Sequence, residues 1–166
     1  MAISALAQHF LRQEIFQGLK PLQITEIIRR AERIVYRPGE MIIEEDSPAD
    51  AAILLVGGEA VRIVGSDLRP RAEPIQTGSL LTELAMLIET DHSATVVAKT
   101  PVRALRIPRH ELNEQMAADP AVADHFVARL TARLAAIAAE LRAIDGVLTS
   151  PGTADSRGHA QRLPLH

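Results

Sequence analysis

Asp91-His92-Ser93 brings together the three residue types of a hydrolytic triad, the first place in this sequence to look for chemistry. Side chains adjacent in an extended segment point to opposite faces, so the three cannot converge on one reacting atom, and no G-x-S-x-G elbow exposes a serine. His110 and Glu114 are spaced to share a helix face, but two possible ligands without HExxH or a third partner do not define a metal centre. His9 and His125 stand isolated, and Gly57-Gly58 lies outside any G-x-x-x-x-G-K-[ST] loop and reads as a strand-connecting turn. There is no cysteine, hence no thiolate nucleophile, disulfide or Cys-ligated metal. The sequence therefore predicts no catalytic residue, metal or resident cofactor, and what remains is binding chemistry. Glu83 opens the helix-forming run Glu83 to Ile88 (ELAMLI), and a helix start offers unpaired N–H donors and partial positive charge to an anionic ligand. The same dipole favours a carboxylate there with no ligand at all.

The 166 residues, 47% hydrophobic, 23% charged and 2% aromatic, suit a single globular domain. Eighteen Lys and Arg against 21 Asp and Glu give a net charge of -3, which argues against direct nucleic acid binding by charge. No apolar run approaches the ~20 residues needed to span a bilayer. Met1 to Phe10 lacks the basic start of a signal peptide, so a cytoplasmic location without membrane contact is expected.

The elements that must position Glu83 and His92 follow from periodicity. Ile3, Leu6, Phe10, Leu11 and Ile15 recur at helical steps up to Gly18. Pro21 opens a second helix with Leu22, Ile24, Ile27, Ile28 and Ala31 on its apolar face and Arg29, Arg30 and Arg33 on its solvated one. The roll, about residues 34–107, is read from short runs at Glu40 to Glu44, Ala51 to Val56, Ala60 to Val64, Ala94 to Ala98 and Val102 to Ile107. Turn residues cut them at Pro38-Gly39, Asp46-Ser47-Pro48, Gly57-Gly58, Gly65-Ser66-Asp67, Thr77-Gly78 and Pro101, which predicts a compact antiparallel β-roll interrupted by the ELAMLI helix. Helix returns over Arg109 to Met116 and then over about 120–146, opened by Asp119 as N-cap and closed by Gly146. In that long helix Val127, Leu130, Leu134, Ile137, Leu141 and Ile144 alternate steps of three and four, a heptad seam suited to a homodimer, or else a stripe packed on the protein's own roll beside Phe126. One α+β domain over 1–148 and a disordered polar tail over 149–166 are the result.

This order of elements resembles the cyclic nucleotide-binding domain of the Crp/Fnr regulators and of kinase regulatory subunits, over about Phe10 to Leu148. Pro38 to Asp50 is close to the family's G-E-x-I-x-x-E-G-D-x-A-D, with Asp46 at a glycine position that Asp tolerates. Gly58-Glu59-Ala60-Val61 is similar to its G-x-V strand opening. The phosphate-binding cassette, F-G-E-L-A-L followed by R-[SA]-A-T-V, reads here Leu81-Thr82-Glu83-Leu84-Ala85-Met86 and then His92-Ser93-Ala94-Thr95-Val96. The resemblance implies a jelly-roll-like β-roll with a long dimerisation helix, and cyclic AMP, cyclic GMP or a related anion as ligand. Its site residues here are Thr82, Glu83, Leu84, Ala85, His92, Ser93 and Ala94, with Glu83 accepting from the ribose 2′-hydroxyl and Ser93 donating to the phosphate. By register Ile137 and Ala138 face the base.

Three departures are legible. Thr82 replaces a glycine, and a β-branched residue is expected to avoid positive φ there. Its hydroxyl is expected to cap Leu84 or Ala85 N–H, the donors a phosphate would use. His92 replaces the arginine and carries little charge above its ordinary pKa near 6.5, and Ile137 and Ala138 offer the base no hydrogen bond. No helix-turn-helix follows the long helix, so DNA binding is not carried over and any output runs through an unidentified protein partner. Two readings stay open: a ligand sensor that moves its long helix, and a ligand-free dimerisation scaffold with a self-capped pocket.

Overall fold

The computed structural model describes residues 3–65 and 70–149. The chain divides into two units, residues 1–128 and residues 129–166. In the first unit, α1 (Ile3–Leu11) stops well before Gly18 and a 3₁₀ turn at Glu14–Phe16 follows. The helical stripe does not run on because Gln13 turns extended (φ -84°, ψ 125°) and its amide donates to the Gly78 carbonyl at 2.6 Å. That tertiary bond drops Ile15 and Phe16 into the core. Gly18, at φ 100°, redirects the chain into α2 (Pro21–Arg30), whose proline start and buried Ile24, Ile27 and Ile28 match the reading, whereas Leu22, expected on the same face, is 83% exposed.

Two antiparallel four-stranded sheets form the roll. The first orders β1 (Glu32–Tyr36), β10 (Val102–Pro108), β4 (Ala51–Gly57) and β7 (Leu80–Leu81); the second orders β2 (Met41–Ile43), β9 (Thr95–Ala98), β5 (Ala60–Val64) and β6 (Arg71–Ile75). A two-stranded ladder joins β3 (Pro48–Ala49) to β8 (Thr90–Asp91). Period-two alternation on β4 explains why that strand is buried throughout. Ala52, Leu54 and Val56 join the helices in one core, while Ile53 and Leu55 point between the sheets with Ala60, Leu81, Val96, Ala98 and Ala104.

The roll leads into α3 (Arg109–Ala118) and α4 (Pro120–Thr149). Asp119 caps α4 as expected, accepting from Ala121 N–H at 3.0 Å. The Gln23 amide donates to its other carboxylate oxygen at 2.8 Å, and these bonds hold Asp119 below the usual carboxylate range. Gly146 does not close the helix: its cost of ~1 kcal/mol in a helix interior is insufficient, and α4 runs on to Thr149. Val122 and Phe126 are buried among the N-terminal helices, with Phe126 edge-on to Phe16 at 6.1 Å. Val127, Leu134, Ile137, Leu141 and Ile144 remain 45–67% exposed, and Leu130 is half-buried. The tail expected over 149–166 lies outside the described residues from residue 150 on, as does the Ser66-Asp67 part of one turn. Among the described residues no helix is long and apolar enough to cross a membrane.

Candidate functional site

Leu81 ends β7 opposite Ile53 and hands the chain to the cassette. Thr82 there adopts the left-handed conformation (φ 49°, ψ 42°), against the expectation that a β-branched residue avoids it. The strain, about 1–2 kcal/mol, is offset by the Thr82 hydroxyl donating to the Ala51 carbonyl at 3.0 Å. The hydroxyl therefore does not cap the following turn, and the self-capped pocket loses its physical basis. ELAMLI is also shorter than an α-helix: Glu83–Met86 form a 3₁₀ turn, in which Ala85 N–H is taken by the Thr82 carbonyl at 2.9 Å and Leu87 and Ile88 both donate to Leu84 O. Ala85 and Met86 are fully buried, while Thr82, Glu83 and Leu84 are half-buried beside them. Anchoring from inside is what shapes the turn.

Arg109, which sequence reasoning missed, ties this turn down. Its Nη1 donates to the carbonyls of Ala49 (3.1 Å), Ala85 (3.2 Å) and Ile88 (2.8 Å), joining β3, the 3₁₀ turn and the first residue of α3. The available signal was a cation in a first helical turn, against the dipole, which asks for another duty. Arg109→Met is expected to cost about 2 kcal/mol, since a charged donor is lost from three carbonyls. It is also expected to raise amide exchange at Leu87 and Ile88, read by denaturation and hydrogen exchange. Unchanged exchange there would show that the turn holds itself.

His92 is fixed by backbone: its N–H donates to Ser47 O and its carbonyl accepts from Asp46 N–H, both at 2.9 Å. Asp46 takes the expected left-handed turn at φ 61°. Burial pushes the His92 ring below the ordinary imidazole pKa, with Asp50 and Asp91 pulling the other way, and its buried Nδ1 has no partner among the described residues. The ring is thus neutral at pH 7. A folded-state pKa below the unfolded value gives stability that is complete above about pH 6.5 and lost as pH falls through the depressed value. His92→Gln is expected to flatten that part of the stability profile in pH-dependent denaturation, and an unaltered slope would assign it to other groups. Ser93 is exposed and Ala94 half-buried, completing the second segment beside the turn.

Beside β6 and β7, each the last strand of its sheet, lies a cavity of about 400 Å³ lined by Gln13, Arg62, Glu73, Pro74, Ile75, Ser79, Leu80 and Leu81. Leu81 directly precedes Thr82, so the cavity reaches the head of the cassette. Ile137 and Ala138 belong to the second unit, Ile137 exposed and Ala138 half-buried on α4. Of the other residues singled out, Glu114 binds Arg30 at 3.3 Å, His110 stands 3.7 Å from Glu111, and His125 Nε2 lies 2.8 Å from the Ile15 carbonyl.

Residues 33–119 match the sequence profile described as the cyclic nucleotide-binding domain. The chain is 36% identical over 95 residues to a cAMP-dependent protein kinase regulatory subunit from Aspergillus fumigatus, covering 57% of this chain and 23% of that protein. It thus spans less than a quarter of the curated relative's length. Among solved structures, the N-terminal domain of a transcriptional regulator from Streptomyces coelicolor A3(2) is similar with a TM-score of 0.72 and 21% identity, over 78% of this chain and 94% of that one. The regulatory domain of Toxoplasma gondii PKA, crystallised with cAMP, is similar with a TM-score of 0.61 and 18% identity, over 68% and 43% of the respective chains.

Proposed function

This chain belongs to the cyclic nucleotide-binding domain family, and we propose that its roll takes up a cyclic nucleotide, cyclic AMP or cyclic GMP, as a regulatory rather than catalytic module. The observation that carries this reading is Thr82 held in the left-handed conformation with its hydroxyl turned to Ala51. A long-range hydrogen bond offsets the strain and keeps the conformation a glycine would take there, and it leaves the Thr82 hydroxyl turned away from the N–H groups of the following turn. On this reading Glu83 accepts from the ribose 2′-hydroxyl, Ser93 donates to the phosphate, and Leu84, Ala85 and Ala94 shape the wall. A cytoplasmic location and the absence of direct nucleic acid contact belong to the same reading, consistent with a cysteine-free chain of net charge -3.

Calorimetric titration with cyclic AMP and cyclic GMP at pH 7.5 tests it. Saturable one-site binding is expected; no heat at millimolar ligand would leave the ligand-free scaffold as the better account.

The exposed heptad positions of α4 favour a further element of either reading, a homodimer formed through Val127, Leu130, Leu134, Ile137, Leu141 and Ile144. Leu134→Asp with Ile137→Asp is expected to convert a sedimenting dimer to monomer, because four carboxylates would enter one seam. A dimer that survives the pair places the interface elsewhere.

A further inference from the structure

The inner face of the second sheet carries a cation that nothing in the cassette accounts for. Ala60 of β5 is opposite Ala98 of β9 and Ile75 of β6, and Ala60 and Ala98 are buried between the sheets. Two residues on, Arg62 lies opposite buried Val96 on one side and Glu73 on the other. Directly paired residues and positions two apart share a face of the sheet. Arg62 therefore projects toward the inner face, where it lines the same cavity as Leu81, the residue before Thr82. Among the described residues its guanidinium makes no hydrogen bond or ion pair, although Glu73 is its cross-strand partner.

We propose that Arg62 is the residue that binds the anionic phosphodiester of the ligand, taking over from β5 the charge contact that position 92 no longer supplies. This rests on the cyclic nucleotide reading above. Ser93 is three residues along the chain from Val96, so its Cα lies no more than roughly 11 Å away, and Arg62 sits beside Val96 at the roughly 5 Å of a paired strand. A planar guanidinium forks two hydrogen bonds onto phosphate oxygens, whereas the half-buried neutral imidazole of His92 offers one. Glu73, across the strand, is the competing carboxylate that sets the strength of the contact.

The experiment is cyclic AMP calorimetry on the wild-type chain and on Arg62→Gln, Glu73→Gln and His92→Gln, at pH 7.5 and 6.5, with the thermal midpoint of each variant measured first. Arg62→Gln is expected to weaken binding about ten- to a hundredfold, the loss of one charge-assisted hydrogen bond. Glu73→Gln is expected to tighten it, and the wild-type chain to bind with the same affinity at both pH values. Arg62 is exposed and makes no hydrogen bond or ion pair among the described residues, so its variant is expected to keep the wild-type midpoint. A wild-type isotherm reproduced by Arg62→Gln overturns the role of Arg62 and leaves the cyclic nucleotide reading standing. Affinity that instead rises toward pH 6.5 and is lost in His92→Gln returns the contact to His92, flanked by Asp50 and Asp91. Absence of binding by the wild-type chain overturns both.

Discussion

Thr82→Gly combined with His92→Arg is expected to tighten cyclic AMP binding by about ten- to a hundredfold, from one added charge-assisted hydrogen bond of about 1.5–3 kcal/mol. The two changes act differently. Thr82 already holds the left-handed conformation, so glycine removes about 1–2 kcal/mol of strain and forfeits the bond to Ala51, leaving folding stability nearly level. What it removes is a branched side chain from the head of the turn. At position 92 an arginine would carry fixed charge where the imidazole is kept neutral, and the field of Asp50 and Asp91, which already favours a cation, would accept it. Calorimetry of the single and double variants separates the contributions, since residues sharing one ligand couple. Affinity unchanged in the double variant would mean that Ser93 and position 92 do not face the phosphate.

Gly58→Ala is expected to destabilise the roll by about 4 kcal/mol or more, lowering the thermal midpoint by roughly 10 °C. Gly58 sits at φ +90°, and a Cβ built there would stand 2.2 Å from the Pro101 carbonyl oxygen and 2.8 Å from Val102 Cα. Both obstacles are backbone, so no rotamer change relieves them. The neighbouring bonds hold the two turns together: Lys99 N–H donates to Glu59 O at 2.8 Å and Glu59 N–H to Thr100 Oγ1 at 2.9 Å. Thermal unfolding by circular dichroism checks it, and a shift within about 2 °C would mean that the 57–59 and 99–101 turns separate freely. Gly39, at φ +85° with open space around it, should lose only the conformational part when changed to alanine.

Much of this architecture was readable because its signals are local. The β4 run, the Asp119 cap, Pro21 at the head of α2 and the cassette spacing each depend on residues close in sequence. What escaped depends on distant partners. β6 was hidden because four of its five residues are exposed and one is Pro74, composition that reads as loop. Thr82 could not be foreseen in its conformation, since the Ala51 carbonyl that compensates it lies thirty-one residues away. The alternation of β5 placed Arg62 with Ala60 on one face, but only the pairing with Val96 identifies that face as the interior. For Arg109 the three carbonyls come from segments whose meeting no periodicity encodes.

An opening beside the edge strand of a sheet is ordinarily an invitation for another chain to add itself to that sheet. β6 is such a strand, bordering the cavity, and it carries its own guard. Pro74, paired with Val61, has no N–H to give to any ladder, and Arg71 and Glu73 put opposite charges along the same five residues. The proline that made this strand hard to recognise thus also makes its edge a poorer template for an added strand.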